Sequence, residues 1–113
     1  MKQFKFDYDE ENDDLFIYLD GSKSNGAVEI GNFVIDFDKD ENFVALELTD
    51  ASKILSKLLA KIIELNKIRE LKAEAMNFRN MASIKLKITT DSETETANII
   101  IPTVRENSPA ISY

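Results

Sequence analysis

The chain contains no cysteine and no histidine. Without cysteine there are no disulfides, no thiolate metal ligands and no cysteine nucleophile. Without histidine the commonest general base near neutral pH and the commonest transition-metal ligand are both missing. A Ser-His-Asp triad and a His/Cys zinc site are therefore excluded. Long hydrophobic runs are also lacking. The most apolar stretch, ILSKLLAKII at 54–63, is short and carries two lysines, so no membrane span is expected. The opening MKQFKFDYDEENDD has no apolar segment behind its charges, so it does not read as a signal peptide, and a cytoplasmic location is expected. Glycine is scarce: two of the three glycines bracket GSKSNG, the most flexible-looking loop. No glycine-rich phosphate cradle is present.

What is there is a single-domain length, 113 residues, with an ordinary hydrophobic fraction of 43%. The expected unit is one domain over 1–113. The net charge of −7 is unevenly spread. Residues 1–50 hold 14 acids and 4 bases, a net of −10, while residues 51–113 hold 7 acids and 10 bases, a net of +3. The acidic half would repel phosphate backbones, so nucleic acid is not expected as the main partner. The basic half could face the acidic half, within one chain or across a dimer.

Alternation of period two marks strands in FKFDYD, DLFIYLD, AVEIGNFVIDFD and FVALELTD, with Gly31 suggesting a bulge inside the third and DKDEN a hairpin connection before the fourth. Asp50 then reads as a helix N-cap. The helix after it is expected over about 51–66, burying Ile54, Leu55, Leu58, Leu59, Ile62 and Leu65, with Lys53, Lys57 and Lys61 along its solvated side. Residues 67–80 are compatible with a continued helix or with a strand. SIKLKITTD and TANIIIPTV are strands, and a polar tail occupies 106–113. The expected fold is α+β: an antiparallel β-meander of about four strands, one main helix, and a C-terminal β-hairpin or three-stranded unit within 51–105.

The segment YDEENDDLFIYL resembles the signature Y-D-x-E-x-D-x-L-Y-I-x-L, and VIDFDKDENFVALELTDASKIL resembles V-I-D-x-D-x-D-G-x-(V/L)-V-G-I-E-I-L-x-A-S-K-x-L. These signatures belong to a family of small prokaryotic proteins catalogued as a domain of unknown function (number 2283). The resemblance covers about residues 6–56. It rests on Tyr8, Asp9, Glu11, Asp13, Leu15, Ile17, Leu19, Asp36, Asp38, Asp40, Val44, Glu47, Ala51, Ser52 and Lys53. Glu41 and Ala45 stand where the family has glycine. The resemblance implies a meander followed by a helix, and no established activity. Through some short relatives that sit beside small toxin-like genes, the resemblance hints at an antitoxin or binding role.

Two acidic groups invite chemistry. Asp36, Asp38, Asp40 and Glu47 have the spacing of calcium-loop ligands, but Glu41 occupies the position where such a loop needs glycine, and strands rather than helices flank it. Asp9, Glu11 and Asp13, joined by Asp36 or Glu47, could hold Mg²⁺ for phosphate chemistry. The competing reading is solvated turns whose acids accept backbone N–H bonds, and no catalytic, cofactor or metal site is assigned. Six apolar-faced strands with only one sure helix to cover them leave open edges that need a partner. The expected protein is a non-enzymatic interaction or regulatory module, a homodimer, with room for a small protein partner. The alternatives are a divalent-cation-dependent hydrolase or nuclease using the clustered carboxylates, and a nucleic-acid-associated protein using the lysine stripe.

Overall fold

A computed structural model describes residues 1–78 and 81–102. Among them the elements are β1 (Lys2–Asp9), β2 (Asp14–Tyr18), β3 (Gly26–Ile30), β4 (Phe33–Phe37), β5 (Phe43–Thr49), α1 (Ala51–Leu59), a 3-10 turn (Leu65–Lys67), β6 (Ile68–Phe78), β7 (Met81–Thr90) and β8 (Thr94–Pro102). The tail at 106–113 lies outside the described residues.

All eight strands join one antiparallel sheet in the order β3-β4-β5-β2-β1-β6-β7-β8. Strand β1 connects its two halves. Lys2, Gln3 and Phe4 pair with Ala73, Lys72 and Leu71 of β6, whereas Lys5 to Asp9 pair with Tyr18 to Asp14 of β2. The sheet curls into a half-barrel, and α1, leaving β5, packs against β8 at the far end of the strand order.

Period-two alternation turns one face of every long strand inward. Leu15 and Ile17 on β2 lie opposite Leu48 and Leu46 on β5, and Ile35 on β4 continues the row. The second half contributes Leu71 and Ala73 on β6, Ile84, Leu86 and Ile88 on β7, and Ala97 and Ile99 on β8. Phe4, Ala51, Leu55, Ile63 and Leu65 fill the concave side of the same cluster. Leu15, Ile17, Leu46, Leu48, Leu55, Leu71, Leu86 and Ile88 are almost wholly enclosed, and each such burial contributes about 2 kcal/mol.

The fold therefore differs from the expected α+β arrangement: one continuous sheet replaces a four-stranded meander with a main helix and a separate C-terminal unit. Three local features account for this. The helix stops at Leu59, because Ala60 takes a left-handed conformation (φ 57°) and its N–H bonds back to the carbonyl of Ser56. Leu58 and Ile62 consequently remain 44% and 83% exposed, and Ile63 takes an inward place instead. Residues 68–78 are a strand, laddered to β7 along nearly its whole length. The segment AVEIGNFVIDFD is two strands, not one with a bulge: Gly31 (φ 56°) and Asn32 turn the chain so that Ile30 faces Phe33.

Candidate functional site

Three signature residues meet at the start of α1. The Tyr8 hydroxyl, near the end of β1, donates to Asp13 Oδ1 at 2.6 Å. The Ser52 backbone N–H donates to the same carboxylate at 3.0 Å, and the Ser52 hydroxyl donates to Oδ2 at 2.7 Å. The Ala51 N–H donates to the Asp13 carbonyl at 2.9 Å. Asp13 reaches this place because it ends the β1–β2 turn in a left-handed conformation (φ 54°), which aspartate tolerates better than most residues. It thus caps the first turn of a helix through a residue 39 positions later in the chain, Ser52. Asp50, expected as the N-cap, is itself left-handed (φ 52°) and makes no side-chain cap. Its carboxylate accepts from Asn32 Nδ2 at 3.4 Å.

The electrostatics follow. Burial pushes the Asp13 carboxyl up, but the hydrogen bonds from Tyr8 and Ser52 and the charge of Lys53 outweigh it, so the net shift is downward. Tyr8 is pushed up to about 12, first by burial and then by its bond to Asp13. A carboxylate filled by three donors is a structural acceptor.

The other acids of that turn do not join it. Asp9 accepts from Asn12 through both the backbone N–H (3.2 Å) and Nδ2 (2.7 Å), which hold its carboxyl low. Glu11 is exposed in the turn. The acids of DFDKDENFVALE also part company. Asp38 organises the β4–β5 turn, its Oδ1 accepting from the N–H groups of Asp40 (2.8 Å) and Asn42 (2.9 Å). Asp40 is exposed beside it. Glu41 sits at φ 65°, the left-handed position that the family fills with glycine. Among the described residues no three Asp or Glu side chains converge into a set that could hold a metal ion.

Asp36 and Glu47 share the outer face of the sheet with a third carboxylate that the sequence reading did not single out, Asp14, without closing into a metal-holding set. The Glu47 carboxyl is pushed up by its hydrogen bond to Asp14, then by burial, then by the charges of Asp14, Asp36 and Glu29. Register explains the shared face. Phe16 lies between Asp7 on β1 and Glu47 on β5, and Glu47 pairs with Val34 on β4. Beside the carboxylates, Phe16 and Tyr18 stack at 5.3 Å with their planes 22° apart, and Phe16 is 41% exposed. Ala45, where the family has glycine, is the small buried floor between Tyr18 and Asp36. The alternation of Asp14, Phe16 and Tyr18 on one face was a signal that could have placed Asp14 here.

The opposite half of the outer face is basic: Lys72 pairs with Lys87, and Lys85 with Glu74, across β6 and β7. The lysine stripe is broken. Lys61 lies beyond the end of α1 and binds Glu93 and Glu95, the latter at 3.2 Å. A polar depression of about 540 Å³ lies between the loop containing Ser22, Lys23 and Ser24 and the turn containing Asp38 and Lys39. A smaller one of about 240 Å³ lies beside Phe4, Phe43 and Ala73. No helix among the described residues is long and apolar enough to cross a membrane.

This geometry offers an acidic and aromatic surface suited to cationic and apolar groups. Two relatives show similarity in sequence. One is an uncharacterized protein of Methanocaldococcus jannaschii, 40% identical over 52 residues, or 46% of this chain and 45% of the relative. The other, from Methanosarcina mazei and provisionally named a hypoxanthine phosphoribosyltransferase, is 35% identical over 48 residues, or 42% of this chain and 39% of the relative. The chain thus spans less than half the length of either relative. No solved structure matches it. Over residues 5–52 the chain matches the family model described as "Protein of unknown function (DUF2283)", which bears out the resemblance carried by Tyr8, Asp13 and Ser52.

Proposed function

We propose that this protein is a non-enzymatic interaction module of the cytoplasm that self-associates and uses the outer face of β2, β4 and β5 to hold a basic segment of a small protein partner. One observation carries the reading. The stacked pair Phe16–Tyr18 stands on the outer sheet face, with Phe16 41% exposed among the described residues, beside Asp14, Asp36 and Glu47. Aromatic faces attract lysine and arginine cations, and the adjacent carboxylates add charge-assisted hydrogen bonds. The carboxyls add to this, because Glu47, raised by its hydrogen bond to Asp14, by burial and then by the charges of Asp14, Asp36 and Glu29, gains a counter-charge when a cation arrives. The transferase name of the Methanosarcina relative supplies no support, since the shared segment covers 39% of that protein.

The test is an NMR titration with an arginine-rich peptide, using a glutamate-rich peptide of equal length as control. The amides of Phe16, Tyr18, Ala45 and Glu47 should shift with the basic peptide alone. An Asp36→Asn, Glu47→Gln variant should bind about tenfold more weakly. Equal shifts with both peptides, or none with either, would remove the proposal.

A further inference from the structure

We infer that two copies pair edge to edge through β8 about a two-fold axis, extending one sheet across both chains. This rests on the reading of the protein as a self-associating module and names the surface and the occupant.

The sheet has two ends. β3 is a five-residue strand that carries Glu29, and short, charged edges resist pairing. β8 runs for nine residues, Thr94–Pro102, and among the described residues no strand pairs with its second edge. Among the β8 side chains described, the exposed ones are Thr94, Thr96, Asn98 and Ile100, a row without charge. That matters for a second copy in particular. A two-fold axis brings each strand against itself, so a charged row would meet its own charge. The carboxylates at the start of β8 are answered within the chain, where Lys61 binds Glu93 and Glu95. With the nine residues in full antiparallel register, Asn98 faces its own copy, Thr96 faces Ile100 and Ala97 faces Ile99. Pro102 has no N–H to donate and ends the ladder. The helix packed against β8 also carries exposed apolar surface, at Leu58 on α1 and Ile62 just after it.

Sedimentation equilibrium of the full chain and two charge variants tests the inference. The wild type should be dimeric. Asn98→Lys and Asn98→Asp each place like charges opposite one another and should weaken dimerisation by about tenfold, while an equal mixture of the two should recover it. Asn98 is exposed, so both variants should keep the wild-type circular dichroism. In the wild type, amide exchange along β8 should quicken on dilution as the edge is uncovered. A wild-type monomer would overturn both this inference and self-association. Dimers of unchanged affinity in both variants, with no dilution effect on β8, would overturn the edge while leaving self-association standing.

Discussion

Asp13 joins parts of the chain that sequence order keeps apart, and its removal should be felt in two places. Asp13→Ala leaves the first turn of α1 uncapped and Tyr8 without its acceptor, and should cost about 3 kcal/mol in urea unfolding. The same variant should bring the Tyr8 titration down from about 12 towards its ordinary 10.0, seen by ultraviolet absorbance. Wild-type Tyr8, raised on folding, adds stability that is complete below pH 10.0 and lost as pH climbs through about 12. Asp13, lowered on folding, adds stability that is complete above its ordinary 3.8 and lost as pH falls through the folded value. Glu47 has the opposite sign from Asp13. Its raised carboxyl favours the fold below 4.5 and loses that contribution as pH rises through the folded value. Glu47→Gln should therefore raise the melting temperature at neutral pH and leave it unchanged in acid. At Glu41, held at φ 65°, glycine should add about 0.5 kcal/mol, the relief of left-handed strain less the entropy glycine loses on folding. Sequence named Tyr8, Asp13 and Ser52 as signature positions and placed Asp50 at the N-cap, where it stands, but it gave the capping side chain to Asp50 and not to Asp13, because proximity in the chain was the only proximity it displayed.

Among the elements, the legible ones were those whose alternation is strict. The strands around Phe6, Ile17, Leu46, Leu86 and Ile99 stand where period two placed them. The helix was read too long, since Ile62 and Leu65 extend a 3.6-residue pattern and the stop at Ala60 carries no glycine to announce it. Ala60→Gly should accordingly stabilise the protein by about 0.5–1 kcal/mol, read as a higher urea midpoint with an unchanged slope. Residues 68–78 were ambiguous for a physical reason. Glutamate, lysine, alanine and leucine favour helix locally, and only pairing to β1 on one side and β7 on the other makes the strand. The turn at Gly31–Asn32 is held from outside as well, where Asn32 Nδ2 donates to Thr49 Oγ1 at 3.1 Å and the Thr49 N–H donates to the Asn32 carbonyl at 3.0 Å.

For the whole molecule the decisive strand is β1, which pairs with β6 through Lys2 to Phe4 and with β2 through Lys5 to Asp9. Phe4 is 3% exposed and stacks on Phe43 at 5.3 Å. Phe4→Ala should cost about 3–4 kcal/mol. Because one core cluster draws on both halves, tyrosine fluorescence and far-ultraviolet circular dichroism should still report one coincident transition. Millimolar Mg²⁺, Mn²⁺ or Ca²⁺ should leave the wild-type melting temperature unmoved, since a ligand that binds the native state would raise it. A rise abolished by Asp9→Asn, Asp38→Asn would restore the carboxylates to a metal-dependent role.

The sequence by itself determined what depends on residue identity and short spacing: the absent chemistries, the inward face of each alternating strand, the acidic DKDEN turn, and the signature over residues 5–52. Tertiary structure decided what depends on residues far apart in the chain meeting. It made Asp13, one of several acids in a turn, a helix cap, set Asp14, Asp36 and Glu47 of three strands on one face beside Phe16, and fused the expected meander and C-terminal unit into one sheet. The physical reason is that strand pairing is non-local. Periodicity orients each strand, but the order of neighbours follows from how the buried faces close around Leu55 and Phe4.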